Sequence, residues 1–193
     1  MKPCWHVRGA LVVLLLAWAA GVGAQQISLT TLQRRLQEAP RQAMRFRETR
    51  ESPWLAAPVE SSGTLRSSAT LLEKSVEEPR RETWRILPDR VELLAAGATT
   101  PKVLMFSTAP AVATLANTLR QVMTGDLQAL DRDYHLELAG DERVWTVHLT
   151  PRRPDTARFL KEVELQGTGS QLRAIVILES QGERTVTRLT PEP

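Results

Sequence analysis

Apolar and polar residues alternate along most of the chain with a period of two, which is typical of β-strands that bury one face. In the stretch 82–86, Trp84 and Ile86 lie on one face of the predicted strand, and Thr83 and Arg85 lie on the other. The same alternation recurs at 91–95, 134–138, 145–149 and 163–165. Short turns rich in glycine, among them 140–141, 167–170 and 181–182, separate such stretches, so the pattern predicts an antiparallel meander rather than βαβ units.

Two stretches have the period of an amphipathic helix instead. The first has leucines on one face, can be capped by Ser28 or Thr30, and ends before Pro40. The second starts after Pro110 and ends at Gly125. The apolar positions that define these helices are Leu29, Leu32 and Leu36 in the first, and Val112, Leu115, Leu119 and Val122 in the second.

The order of elements is therefore a helix, about five strands, a second helix and about five more strands. A sheet of about ten strands must curl or close to bury its apolar face, and we expect a mostly β half-barrel that short helices cover. Barrels of this size often hold a ligand, and an apolar one would suit this lining. The predicted lining residues are Phe46, Leu65, Leu72, Trp84, Ile86, Val91, Leu93, Leu104, Phe106, Leu115, Leu119, Trp145 and Val147.

The N-terminus has the features of a secretory signal peptide. Lys2 and Arg8 precede an apolar run at 10–20, and Val22-Gly23-Ala24 offers small residues where signal peptidase cuts. The alternative is a membrane anchor, but a run of 11 residues is shorter than the roughly 20 that a spanning helix needs. We expect cleavage after Ala24, export to the periplasm and a single domain over 25–193.

Composition excludes several classes of protein. The only cysteine, Cys4, precedes the apolar run, so the expected mature chain has no cysteine and cannot be a disulfide scaffold. Loss of Lys2 and Arg8 lowers the formal net charge from +3 to +1. The arginines alternate with acidic residues along the strands, which is typical of a solvated sheet face and argues against nucleic-acid binding.

Catalytic chemistry is not indicated. His135 and His148 fall on the polar side of their strands, and no cysteine accompanies them, so we expect neither a metal ion nor another cofactor. The sequence has no P-loop, dinucleotide fingerprint or nucleophile elbow. Carboxylate pairs are assigned to turns or loops, and the protein is not expected to be an enzyme. These pairs are Glu77-Glu78, Asp131/Asp133 and Asp141-Glu142.

Two segments are candidates for contact with a partner or for the rim of the cavity. The stretch 46–65 predicts the first hairpin, whose second strand begins after Gly63, and its proline-bracketed loop carries Trp54 and Leu55. Such a loop either packs back onto the domain's own core or lies at the mouth of the barrel. Arg80 and Arg81 precede a strand, where they would meet an anionic group or merely solvate and protect the strand edge.

A series of short motifs, in this order, resembles the outer-membrane lipoprotein carrier family, the LolA-like proteins, and in particular a divergent branch of it. The resemblance extends over essentially the whole mature chain, and its specificity comes from order and spacing. After the signal peptide and the first helix, the motifs are Phe46-Arg47-Glu48, Ser62-Gly63-Thr64-Leu65, Leu72-Glu73-Lys74, Glu78-Pro79, Glu82-Thr83-Trp84-Arg85-Ile86, the stretch from Leu119 to Leu127, Trp145-Thr146-Val147-His148-Leu149-Thr150-Pro151 and the Gly167 hairpin.

The resemblance implies an unclosed antiparallel barrel with a helical lid over a hydrophobic cavity. It implies a monomeric periplasmic carrier, not integral to the membrane, that takes acylated lipid or lipoprotein cargo from an inner-membrane exporter to an outer-membrane receptor. Members of the divergent branch are associated with export of aryl-polyene or related lipids. The classical carriers place an Arg-Pro pair that helps to hold the lid after the G-x-L strand. Here Arg66 comes too early and 66–71 contains no such pair. The alternative is a lipid-sensing or regulatory module on the same scaffold.

Overall fold

One antiparallel sheet contains every strand in the described part of the chain, which comprises residues 27–39, 43–68 and 70–192 of a computed structural model. The predicted signal peptide, 1–24, lies outside the described residues. The strands are β1 (Met44–Glu51), β2 (Val59–Ser67), β3 (Leu72–Glu78), β4 (Glu82–Ile86), β5 (Arg90–Ala95), β6 (Lys102–Met105), β7 (Tyr134–Gly140), β8 (Val144–Pro151), β9 (Leu160–Thr168), β10 (Gln171–Glu179) and β11 (Arg184–Pro191).

The order of the 11 strands is β6-β5-β4-β3-β2-β1-β11-β10-β9-β8-β7. Strands β1 to β6 form one meander and β7 to β11 form another, and the pairing of β1 with β11 joins them. Strands β6 and β7 are the two edges and do not pair with each other, so the sheet is not closed into a barrel. The predicted mostly β, unclosed antiparallel fold is confirmed.

The predicted helices are present. Helix α1 (Leu29–Glu38) begins at Ser28, whose hydroxyl accepts a hydrogen bond from the Thr31 N–H as an N-cap. Helix α2 (Pro110–Thr124) follows a short 3-10 helix and ends at Gly125, which has a φ of 69° in the left-handed region. None of the helices in the described ranges is long and apolar enough to cross a membrane.

A third helix, α3 (Leu127–Asp133), was not predicted. The Asp126 carboxylate caps this helix by accepting a hydrogen bond from the Ala129 N–H. The side chains of Leu127 and Leu130, both within the helix, are buried. The interpretation of Asp131 and Asp133 as turn residues is therefore wrong, because burial of these leucines favours a helix directly after α2. A four-residue helix, α4 (Pro154–Ala157), links β8 to β9.

Two glycines that were interpreted as turn residues lie inside strands. Strand β2 starts at Val59, and Gly63 lies in its middle, where an added Cβ would lie 1.9 Å from the Ser75 carbonyl oxygen. Strand β9 continues through Gly167, where an added Cβ would lie 1.9 Å from Cζ2 of the Trp145 indole. At both positions a neighbouring group lies too close for any side chain, which explains why the residue is glycine. The predicted strand start after Gly63 is wrong, because β2 already begins at Val59. Likewise Glu77 and Glu78 end β3 rather than occupying a turn.

Trp145 anchors the β8–β9 pair. Its side chain is buried, packs on Gly167, and its Nε1–H donates to the Gly169 carbonyl at 2.9 Å. We expect Gly167→Ala to lower the free energy of unfolding by about 1–3 kcal/mol, because the methyl group must displace the indole from a packed site. Chemical denaturation would measure this loss.

Gly169→Ala is the control for that substitution. Gly169 has a φ of +57°, but no neighbouring atom lies within 4 Å of an added Cβ. The control therefore has a backbone cost of only about 1 kcal/mol. Equal losses in the two variants would contradict the packing role of Gly167.

Candidate functional site

The predicted lining residues come together on one side of the sheet, which we call the inner face. Directly paired residues share a face, and Leu72, Ile86, Val91 and Leu104 form one such row across β3 to β6. Leu104 is the exception in burial: it is 41% exposed, because β6 is an edge strand with no further neighbour. The buried members of the predicted set are Phe46, Leu65, Leu72, Ile86, Val91, Trp145 and Val147. The half-buried members are Trp84, Leu93, Phe106, Leu115 and Leu119.

The helices fill most of the space over the inner face. Leu32 of α1 and Leu130 of α3 are fully buried, and Ala116 and Val122 of α2 are nearly so. Beneath the ends of α1 and α2 remains a cavity of only about 90 Å³, between Met44 and Leu172 among others. In this conformation the centre of the inner face is a packed core, and a ligand reaches its buried residues only if a helix moves, whereas Trp84, Leu93 and Leu104 towards the β6 edge keep some solvent exposure.

A larger opening lies beside α2, and we call it the α2 groove. It has a volume of about 660 Å³, within the range of roughly 300–1,000 Å³ that is typical of ligand pockets. Phe106 and Phe159 contribute aromatic surface, and Arg153 and Arg158 contribute cationic groups. The other lining residues are Pro110, Ala111, Ala113, Thr114, Asn117, Thr118, Gln121, Asp133, Asp155 and Thr156. Of the predicted lining residues, only Phe106 belongs to it.

A buried hydrogen bond fastens α2 to the edge strand β7 at this groove. The hydroxyl groups of Thr118 and Tyr134 lie 2.5 Å apart, and both residues are almost fully buried. The Thr118 hydroxyl also donates to the Thr114 carbonyl, so Tyr134 is the donor in the shared bond. Burial raises the pKa of the Tyr134 phenol, which further favours the protonated form that donates this hydrogen bond.

An ion pair that was not predicted from the sequence lies on the inner face among the apolar side chains. The Lys74 ammonium lies 2.7 Å from the Glu48 carboxylate and 4.8 Å from the centre of the Phe46 ring. The buried Thr187 donates a hydrogen bond to the same carboxylate. Glu48 follows the buried Phe46 by two positions, and Lys74 follows the buried Leu72 by two positions. Residues two apart in a strand lie on the same face, so this spacing could have predicted that both charged groups lie on the inner face.

The loop that carries Trp54 does not fold back onto the core. Trp54 is 74% exposed and Leu55 is 42% exposed, so the interpretation as a core loop does not hold. Arg80 and Arg81 are exposed in the connection between β3 and β4.

These rim candidates lie at the same end of the sheet as α4. In an antiparallel sheet, the β1–β2, β3–β4, β8–β9 and β10–β11 connections all fall at one end. Two hydrogen bonds link the β8–β9 connection to the β10–β11 connection. The Ser180 hydroxyl donates to the Ala157 carbonyl, and the Ser180 N–H donates to the Phe159 carbonyl. The exposed apolar loop and one wall of the α2 groove therefore share this end.

An open antiparallel sheet whose apolar face is covered by helices is a LolA-like fold. A family model described as outer membrane lipoprotein carrier protein LolA-like matches residues 17–191, and the chain belongs to that family. The family is one of carrier proteins, as its description states, and the resemblance found in the sequence is confirmed. A search of curated proteins found no significant match.

A search of solved structures found matches of low identity, among them the following three. A LolA superfamily protein from Nitrosomonas europaea is 14% identical, with a TM-score of 0.44 over 85% of this chain and 92% of that one. A DUF1329 family protein from Desulfovibrio piger is 8% identical, with a TM-score of 0.40 over 84% and 90%. A protein described as an outer membrane lipoprotein-sorting domain, from Vibrio parahaemolyticus, is 8% identical, with a TM-score of 0.38 over 84% and 88%.

The ion pair on the inner face yields a stability test. We expect Lys74→Met to lower the free energy of unfolding by about 1–3 kcal/mol, because it leaves the Glu48 carboxylate among apolar groups without its cation. The double variant Glu48→Gln/Lys74→Met should recover much of this loss. Denaturant titration of the parent, of Lys74→Met, of Glu48→Gln and of the double variant gives the coupling energy.

Arg45→Met is the matched control, because Arg45 and Glu77 form an ion pair in which both side chains are more than two-fifths exposed. Breaking such a solvated pair costs at most about 1 kcal/mol. A Lys74→Met loss no greater than the Arg45→Met loss would show that the inner pair is solvated as well.

Proposed function

We propose that this protein is a periplasmic carrier that binds acylated or otherwise apolar lipid or lipoprotein cargo and moves it from the inner to the outer membrane. The observation that carries the proposal is the construction of the inner face. Its apolar side chains are covered by short helices rather than by a second sheet, and the sheet edges β6 and β7 stay unpaired with each other. Membership of a carrier family supports the same function.

The α2 groove is the proposed entrance for the cargo. An acyl chain that enters it meets Phe106, Phe159 and Ala113, and each CH₂ that leaves water contributes about 0.8 kcal/mol. Arg153 and Arg158 line the same groove, but so do Asp133 and Asp155, and Arg158 forms an ion pair with Asp155 at 3.7 Å, so the apolar surface rather than charge would bind the cargo. The groove alone accommodates a short chain, and longer cargo requires displacement of α2 from the inner face.

Displacement of α2 exposes the lining residues that are now buried. Leu115 and Leu119 face the core from α2, and Thr118 is tied to Tyr134 by the buried hydrogen bond. Since 66–71 contains no Arg-Pro pair like that of the classical carriers, we assign the lid-holding role to this Thr–Tyr bond. Apolar cargo that replaces the helix side chains offsets the cost of opening, because it keeps the inner face out of water.

The compartment and the partners follow from the same proposal. The predicted signal peptide sends the mature chain, 25–193, to the periplasm as a monomer. Cargo passes from an inner-membrane exporter to this protein and then to an outer-membrane receptor. Trp54 and Leu55, together with Arg80 and Arg81, form the proposed contact surface at the end of the sheet that carries α4.

Blocking the groove tests the proposed entrance. We expect Ala113→Trp to weaken binding of a fluorescent fatty acid by about tenfold or more, because the indole occupies the volume of the acyl chain. Fluorescence titration measures the dissociation constant. The control is Val112→Trp, which adds the same side chain at the preceding position of α2. Val112 is 38% exposed and does not line the groove, so this variant should bind the fatty acid as tightly as the parent does.

Lipids extracted from the protein after expression in a Gram-negative host, and identified by mass spectrometry, test the carrier function directly. An empty protein that binds no acylated probe would overturn it. Recovery of a signalling protein instead of cargo would favour the lipid-sensing module. Equal loss of binding in Ala113→Trp and Val112→Trp would overturn the groove assignment alone.

The exposed loop yields a separate prediction. We expect Trp54→Ala to slow transfer of cargo to acceptor membranes severalfold while it shifts the melting temperature by no more than about 2 °C, because an exposed side chain contributes little to folding. The measurements are a transfer assay with outer-membrane vesicles and a thermal melt. Val144→Ala removes another exposed apolar side chain, from the β7–β8 hairpin, and should leave transfer unchanged.

A marked loss of stability in Trp54→Ala, with normal transfer, would assign the loop to folding instead.

A further inference from the structure

A second cluster of functional groups lies on the outer face of the sheet, opposite the helices. His148 of β8 pairs directly with Glu164 of β9, and Glu162 lies two residues along the same strand, so all three side chains share a face. One imidazole nitrogen and two carboxylate oxygens lie within 4.8 Å of one another. The Nδ1 atom of His148 is 2.5 Å from a carboxylate oxygen of Glu162.

The charge at this cluster is not balanced by nearby cations. A further carboxylate, that of Glu137 on β7, stands opposite His148. Among the residues that the structure describes, no lysine or arginine comes within 4.0 Å of the carboxylates of Glu137, Glu162 or Glu164. The polar neighbour of Glu164 is Gln166, whose amide donates to it. Two carboxylates and an imidazole therefore converge, a third carboxylate lies on the facing strand, and no lysine or arginine pairs with these carboxylates within the described residues.

We propose that His148, Glu162 and Glu164 form a binding site for a divalent transition-metal ion, with zinc as the expected occupant. Zinc takes imidazole nitrogen and carboxylate oxygen as ligands, whereas calcium and magnesium take oxygen almost alone. Three protein ligands leave a fourth position for water. The Gln166 amide holds the Glu164 carboxylate in place, as outer hydrogen bonds do at metal sites. The proposal departs from the expectation, drawn from the sequence, that the histidines bind no metal.

The geometry requires only side-chain rotation. Ligand atoms bound to tetrahedral zinc at about 2 Å lie about 3.3 Å from one another. In the structure the closest of these atoms are 2.5 Å apart and all of them lie within 4.8 Å of one another, so small rotations would bring them to that value. Since all three side chains are half-buried on paired strands, their backbone is already fixed by the β8–β9 ladder. The ion would join the two strands from the side that faces away from the cargo, so the site is independent of the proposed carrier function.

Calorimetric titration with zinc chloride tests the site. Each protein carries Cys4→Ser and His6→Ala and has no polyhistidine tag, so no N-terminal residue competes for the metal. We expect one zinc ion per chain in the parent, and binding at least about tenfold weaker in His148→Ala and in Glu164→Gln. His135→Ala is the matched control, because His135 is an exposed histidine of β7 that lies opposite Thr150 and outside the cluster.

A thermal melt gives a second readout, because a ligand that binds only the folded state raises the melting temperature as its concentration rises. Zinc should stabilise the parent and His135→Ala, but not His148→Ala. Circular dichroism of each variant verifies that it is folded. Zinc binding that is unchanged in His148→Ala would overturn the proposal. So would calcium binding as tight as zinc binding in every variant, since that would identify a diffuse acidic patch.

Discussion

The pairing of β1 with β11 is the constraint on which the rest of the molecule depends. Eight residue pairs, from Met44–Pro191 to Glu51–Arg184, join the two meanders into one sheet. Phe46 and Leu189 meet directly in this ladder, and both are buried. Because the two meanders share this central seam, their inner faces form one surface for the helices to cover. The edges β6 and β7 then fall at opposite ends of the strand order, with α2 and α3 between them in the chain.

The inner face serves two demands that oppose each other. Burial of its side chains under the helices stabilises the fold, while the proposed function requires the same side chains to become accessible to cargo. Hydrogen-bonded and charged groups within the apolar surface, such as Thr118–Tyr134 and Glu48–Lys74, hold specific partners in place. Of these two interactions, only the Thr118–Tyr134 hydrogen bond joins α2 to the sheet, so it is the one that breaks if α2 is displaced, whereas Glu48 and Lys74 both lie on strands and stay in contact.

Much of the fold is predictable from local pattern, and the exceptions have physical causes. Alternation predicted the strands, and the caps Ser28 and Gly125 set helix bounds, because these features depend on neighbouring residues alone. Gly63 and Gly167 were misread because a glycine in a turn and a glycine beneath an aromatic ring are identical in sequence. The clusters around Glu48 and His148 depend on strand register, which no single strand encodes. The α2 groove likewise arises from distant segments, so the sequence predicted only Phe106 of its lining.

The pairing of β1 with β11 also determines when the sheet can be completed during synthesis of the chain. Glu48 and Thr187, which meet across it, are 139 residues apart, so nearly the whole polypeptide is synthesised before the contact can form. Until the last strand emerges, β1 presents an unpaired edge, and the inner face of β1 to β6 lacks its other half. Long-range closure of this kind is slow relative to local hairpins. The nascent chain therefore passes through a stage in which a partner that shields strand edges would protect it from aggregation.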